Sequence, residues 1–138
     1  MSEENIIYEY FTTIRELHLD SFGHVNNAVY AQLFEEARWD FITKNNYGLD
    51  RIKEVQIGPV ILDMRIRFKR EVLNRENIVI KSKTSAIVSS KIMVLEQVMY
   101  KADGKVAAEA EFTIGVFDMK ARKLVDAPPE WLKAVGIK

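Results

Sequence analysis

One stretch of this 138-residue chain repeats its apolar residues at the spacing of a long α-helix, and nearly all that follows alternates at the spacing of β-strands. Tyr30, Leu33, Phe34, Ala37 and Phe41 fall at i, i+3, i+4, i+7 and i+11, a single apolar stripe. The stripe predicts a helix over residues 27–44, with Asn26 or Asn27 as its N-cap and Asn46 and Gly48 closing the far end. Such a helix is about 27 Å long at 1.5 Å per residue. Ahead of it, residues 7–18 read as a strand and 19–26 as a loop. After it the period falls to two. Over residues 60–70, Leu62, Met64, Ile66 and Phe68 are set to face one way and Asp63, Arg65, Arg67 and Lys69 the other. Residues 76–86 and 91–101 are two further strands, and Asp103-Gly104 signals a hairpin turn. Residues 105–118 form a long strand, and Pro128–Val135 a short terminal helix.

The predicted order is strand, long helix, then four strands as an antiparallel meander. A lone apolar helix must be covered, and one sheet curled around it is the simple α+β solution. Apolar residues make up 48% of the chain, enough for one core, so residues 1–138 read as a single domain. So small a core leaves part of a sheet face apolar, which predicts a homodimer or homotetramer.

Composition excludes several function classes. There is no cysteine, hence no disulfide frame and no thiol nucleophile, and no Cys/His cluster of the kind that holds a metal. No glycine-rich phosphate loop is present. Lys+Arg and Asp+Glu are 20 each, a formal net charge of zero, which argues against a general nucleic-acid binder. The balance hides a segregation. Residues 1–40 carry eight acids and two bases, whereas residues 65–91 carry eight bases and two acids. The first residues lack the basic and apolar pattern of a signal peptide, and no apolar run approaches the ~20 residues of a membrane span. A cytoplasmic protein with no membrane partner is expected.

Residues 20–38 carry the chemistry. Asp20 stands in a loop seven residues before Asn27, near the predicted helix start. The first N–H groups of a helix are unpaired and carry the positive end of its dipole. A carbonyl placed there finds donors for a developing oxyanion, and a neighbouring carboxylate can act as general base or nucleophile. Together they suit hydrolysis of an activated acyl group. Each residue also has a plain structural reading. Asp20 can be a turn former, His24 a loop residue bonded to backbone, His18 a strand-end residue, and Asn26 and Asn27 helix caps. Glu35 and Arg38, three apart on the helix, can pair. Trp39 and Phe41 suit core or pocket lining.

The run Asp20-Ser-Phe-Gly-His-Val-Asn-Asn-Ala-Val-Tyr30, followed by Phe34-Glu-Glu-Ala-Arg38, resembles the signature of hotdog-fold acyl-CoA thioesterases, most closely the 4-hydroxybenzoyl-CoA thioesterase-like branch. The resemblance spans nearly the whole chain. It implies a hotdog fold, with an antiparallel sheet of about five strands wrapped around one long central helix. It implies an acyl-CoA substrate, with coenzyme A entering as part of the substrate and no separate cofactor or metal. By position it makes Asp20 the catalytic carboxylate and the backbone N–H of Asn27 the group that polarises the thioester carbonyl. Gly23 lies where the loop must pass close to substrate, and Tyr30 and Glu35 match positions on the family's helix. His24 is a further catalytic candidate, Asn26 a substrate-binding one, and Glu35 a candidate second carboxylate. Coenzyme A carries phosphates, which Arg65, Arg67, Lys69, Lys83 and Lys91 are candidates to hold, with Ser89 and Ser90 as pantetheine or phosphate contacts. Two departures matter. Hydroxybenzoyl-specific members have aromatic residues where Asn26 and Asn27 stand, and acyl-carrier-protein thioesterases have an asparagine where Phe22 stands. A non-catalytic acyl-CoA or acyl-carrier-protein binding protein is the alternative reading, and a hotdog dehydratase ranks lower because the helix carries no His/Asp pair of that type.

Overall fold

The computed structural model describes residues 4–138. The chain forms strand β1 (Ile7–Thr13), a single 3-10 turn (Glu16–His18), helices α1 (Asn27–Lys44) and α2 (Leu49–Val55), strands β2 (Ile57–Phe68), β3 (Asn77–Ile87), β4 (Ile92–Tyr100), β5 (Val106–Asp118) and β6 (Lys123–Leu124), and helix α3 (Pro129–Ala134). The sheet is antiparallel in the order β1-β3-β4-β5-β2, with β6 extending β5. This is the hotdog arrangement.

Helix α1 occupies the span its apolar stripe predicts. Tyr30, Leu33, Phe34, Ala37 and Phe41 are all buried, joined by Ile42. They meet the inward residues of the sheet: Ile78 and Ile80 of β3, Met93, Leu95 and Met99 of β4, and Ala108, Ala110, Phe112 and Ile114 of β5. Phe34 meets Phe112 edge-on, and Tyr8 of β1 stacks on Phe41.

Four expectations need correction. Strand β1 stops at Thr13, because Arg15–His18 turn to let His18 Nδ1 accept the Arg15 N–H. Helix α2 was not anticipated. Only Ile52 of its seven residues is buried, too few for a stripe, and Gln56 ends it in the left-handed region at φ 62°. The four strands are not a simple meander. Only β3, β4 and β5 follow one another, while β2 pairs with β5 at the far edge. Residues 69–76 therefore cross three strand spacings, roughly 14 Å at about 4.8 Å each. Within β2 the alternation breaks at a bulge between Ile61 and Asp63. Pro59, Ile61, Met64, Ile66 and Phe68 pair with the inward residues of β5, whereas Leu62 leans outward over Gly115. A Cβ at Gly115 would lie 2.7 Å from a Leu124 methyl and 3.1 Å from a Leu62 methyl, so a side chain there would make both leucines shift.

The crossing segment shapes the site. Lys69 and Arg70 donate their N–H groups to the Ala107 carbonyl, Arg75 N–H donates to the Ile14 carbonyl, and Val72 is fully buried. The segment thereby closes over the loop that leads into α1.

Candidate active site

Residues 19–25 fold as a tight hairpin, with Leu19 bridged to Val25. Asp20 organises it. Its Oδ1 accepts the N–H groups of Phe22 (2.9 Å) and His24 (3.2 Å), and its own N–H donates to the His24 carbonyl (2.8 Å). One carboxylate oxygen is thus committed to the loop, while Oδ2 has no protein partner among the described residues. Gly23 takes φ +81°, the left-handed conformation that a side chain resists. The hairpin is tied to the crossing segment. Val25 N–H donates to the Val72 carbonyl, and His24 Nε2 lies 2.8 Å from Glu71.

The loop ends at the cap of α1. Asn26 Oδ1 accepts the Ala28 N–H (2.8 Å), and the Asn26 carbonyl accepts that of Val29 (2.9 Å). Asn27 is the first helical residue, and its N–H has no acceptor among the described residues. Both asparagines therefore fill structural roles, and the positive end of the helix presents one free donor.

These groups share a cleft of about 360 Å³ whose walls include Asp20, His24, Asn27, Tyr30, Phe68 and Lys69. Tyr30 is buried and meets Phe68 edge-on at 5.1 Å. Burial, with the Glu76, Glu71 and Asp20 carboxylates behind it, raises its phenol above the ordinary value, so it stays protonated at neutral pH. Arg70 and Glu71 complete the rim. Sequence reasoning left these two out of the site, because nothing in a run of charges shows that the chain crosses there. Arg70 is held in place by donating to the Val106 carbonyl (2.8 Å).

The structure does not bring the other candidates here. Glu35 lies eight residues along α1 from Asn27, about 12 Å at 1.5 Å per residue, and lines a different cavity. It forms no ion pair with Arg38, whose Nη1 donates instead to Gln97 Oε1 (3.0 Å). Arg65 and Arg67 stand on the outer sheet face opposite Glu111 and Glu109, and Lys83 stands opposite Glu96. That face alternates in sign rather than forming a basic stripe. Ser89, Ser90 and Lys91 lie in the β3–β4 turn, where Ser90 and Lys91 bond to Asp126. Within one chain that turn is roughly 23 Å from the cleft, measured from Ala108 to Gly115 along β5 at about 3.3 Å per residue.

A curled sheet around one helix, with a loop carboxylate beside the helix N-terminus, defines a hotdog protein of the thioester hydrolase class. The chain belongs to the thioesterase-like superfamily, which it matches over residues 14–135. It is 28% identical over 110 residues to the long-chain acyl-CoA thioesterase FadM of Escherichia coli, covering 80% of this chain and 83% of that one. The structure of YbaW, a probable thioesterase from Escherichia coli, superposes with a TM-score of 0.80 at 27% identity, covering 94% of this chain and 98% of that one. The protein SAV2348 of Staphylococcus aureus, solved in complex with CoA, superposes with a TM-score of 0.88 at 14% identity, covering 98% and 85%. Among the described residues, no helix is long and apolar enough to cross a membrane.

Proposed function

We propose that the protein, acting as one domain in the cytoplasm, hydrolyses an acyl-CoA to a free carboxylic acid and coenzyme A. The observation that carries this reading is the pairing, in one cleft, of Asp20 with the unpaired N–H of Asn27. The thioester carbonyl docks on that N–H, and the helix dipole favours the charge that develops on its oxygen. Oδ2 of Asp20 then either takes a proton from the attacking water or attacks the carbonyl itself to form an anhydride that water opens. Both routes expel the coenzyme A thiolate and end in the same products. The substrate supplies coenzyme A, and no other cofactor enters. Lys69 and Arg70, on the cleft rim, are placed to meet its phosphates.

The working unit is a homodimer joined through β2. Among the described residues this strand is a free edge, and Ile61, Met64 and Phe68 on its inner side are 44%, 56% and 53% exposed. Antiparallel pairing of β2 with itself about a two-fold axis sets the end of one copy against the start of the other. The partner then covers the Phe68 side of the cleft. The same rotation carries Ser89, Ser90 and Lys91 of the partner subunit to this end of the combined sheet, where coenzyme A extends.

Asp20→Asn tests the chemistry. It keeps the Oδ1 acceptor that holds the loop and removes the base. Free-thiol release from a panel of short, medium, long and aromatic acyl-CoAs is expected to fall at least about 100-fold in kcat, the scale of a lost general base. Turnover equal to the parent's rules the mechanism out. Saturable acyl-CoA binding with no thiol release by the parent protein points instead to a binding protein.

A further inference from the structure

A second cavity, of about 110 Å³, opens between α1, β2, β4, β5 and α3, with the exposed Trp39 and Ile61 among its walls. Most of its wall is apolar: Phe41, Ile42, Pro59, Ile114 and Val135. Three polar groups, from Arg38, Glu35 and Trp131, break that pattern. Arg38 enters from α1 with its guanidinium 4.2 Å above the Phe112 ring and donates one hydrogen bond, to Gln97. Gln97 is fully buried and fixed from its other end, where Nε2 donates to the Phe34 carbonyl and to Ser82 Oγ, both at 3.0 Å. A guanidinium carries five N–H donors, so most of those of Arg38 have no protein acceptor among the described residues. Burial lowers its pKa to about 10, which leaves it charged at neutral pH. Trp131 forms another wall, is 2% exposed, and keeps its indole N–H without an acceptor among the described residues.

A hydrocarbon tail alone would cover these donors without offering an acceptor, which is unfavourable for the Arg38 guanidinium and leaves the Trp131 N–H unpaired. We propose that this cavity receives the far end of the acyl chain and that Arg38, with Trp131, selects chains that carry an oxygen there. The inference rests on the acyl-CoA reading above. The two-fold pairing links the sites, because Pro59 and Ile61 of β2 line the cavity and Phe68 lines the cleft, so one copy's cavity adjoins the other's cleft. At about 30 Å³ per small group the cavity holds only the last few atoms of a chain. Glu35 shares its wall and offsets the guanidinium charge, which favours a hydroxyl or keto oxygen over a carboxylate.

Matched acyl-CoAs with plain, ω-hydroxy, ω-keto and ω-carboxy ends, taken through a series of chain lengths, test this by kcat/KM. At the best length the hydroxy or keto form is expected to exceed the plain form about tenfold. Arg38→Met is expected to bring the two to parity, and Trp131→Phe, which removes only the N–H from an aromatic wall, to reduce the preference. Glu35→Gln is expected to move the preference toward the carboxylate. Plain chains used equally well or better at every length overturn the proposal, as does an unchanged preference in Trp131→Phe together with folded Arg38→Met. Calorimetric titration with free plain and ω-hydroxy fatty acids reads the cavity without turnover. If no acyl-CoA releases thiol, the hydrolase reading fails by itself, and an affinity for the ω-hydroxy acid that Arg38→Met abolishes still supports the selective pocket. Equal affinity for both acids counts against it.

Discussion

At the scale of single residues, the site depends on side chains that hold backbone N–H groups in position. Asn26 uses its side chain on Ala28, which leaves the N–H of Asn27 as the donor facing the cleft. Asn26→Ala is expected to cost about 1 kcal/mol of stability, read as a lower melting temperature, and to lower kcat through a frayed first turn. Asn26→Asp restores the cap and should restore the melting temperature. Lys69 and Arg70 line the cleft rim, and the proposed phosphate contact would act through their charge. The paired replacement Lys69→Ala/Arg70→Ala is expected to raise KM for acyl-CoA several-fold with kcat little changed. The parent's KM should climb with salt more steeply than the variant's, because exposed phosphate contacts are screened. The loop carboxylate, the cap and the aromatic of the helix were legible in the sequence, since they occupy one local run. Glu71 and Arg70 were not, because they reach the site from 47 and 46 residues beyond His24, by a crossing with no local signature.

At the scale of elements, the crossing segment 69–76 is fixed at its end by Glu76, which meets Lys101 at 3.0 Å and accepts the N–H groups of Leu73 and Ala102. Burial works against the carboxylate charge, but these partners outweigh it and hold its pKa below the ordinary 4.5. A depressed folded value means that the stabilisation is complete above the unfolded value and is lost as pH falls through the folded one. Unfolding followed by denaturant from neutral pH downward should therefore show a loss beginning near 4.5 and continuing below it. Glu76→Gln is expected to be less stable at neutral pH and to lose less across that window. The long helix and the order of strands were readable because each carries its own period. The pairing of β2 with β5 was not, since strand periodicity names faces and never neighbours. The outer face shows the limit of reading charge along one strand. Arg65, Arg67 and Lys83 look like a basic stripe until β4 and β5 set carboxylates opposite them.

At the scale of the whole molecule, the sheet ends on one side at β2, and the proposed dimer closes there. Sedimentation over a range of concentrations is expected to show a dimer. The bulge at Leu62 bears on that assembly. Residues before it face the helix at odd numbers and residues after it at even numbers, so it works as a phase shift that keeps both halves of the strand in step with the core. Trimming Leu62 to alanine removes a contact with the bare surface of Gly115 and should leave a dimer. Deleting the residue changes the parity of everything on one side. Either Pro59 and Ile61 leave the inner cavity or Phe68 leaves the cleft, although no side chain in either place has been altered. A deletion of one outward-leaning leucine is therefore expected to abolish both the dimer and thioester turnover. That position tolerates a change of size but not a change of count.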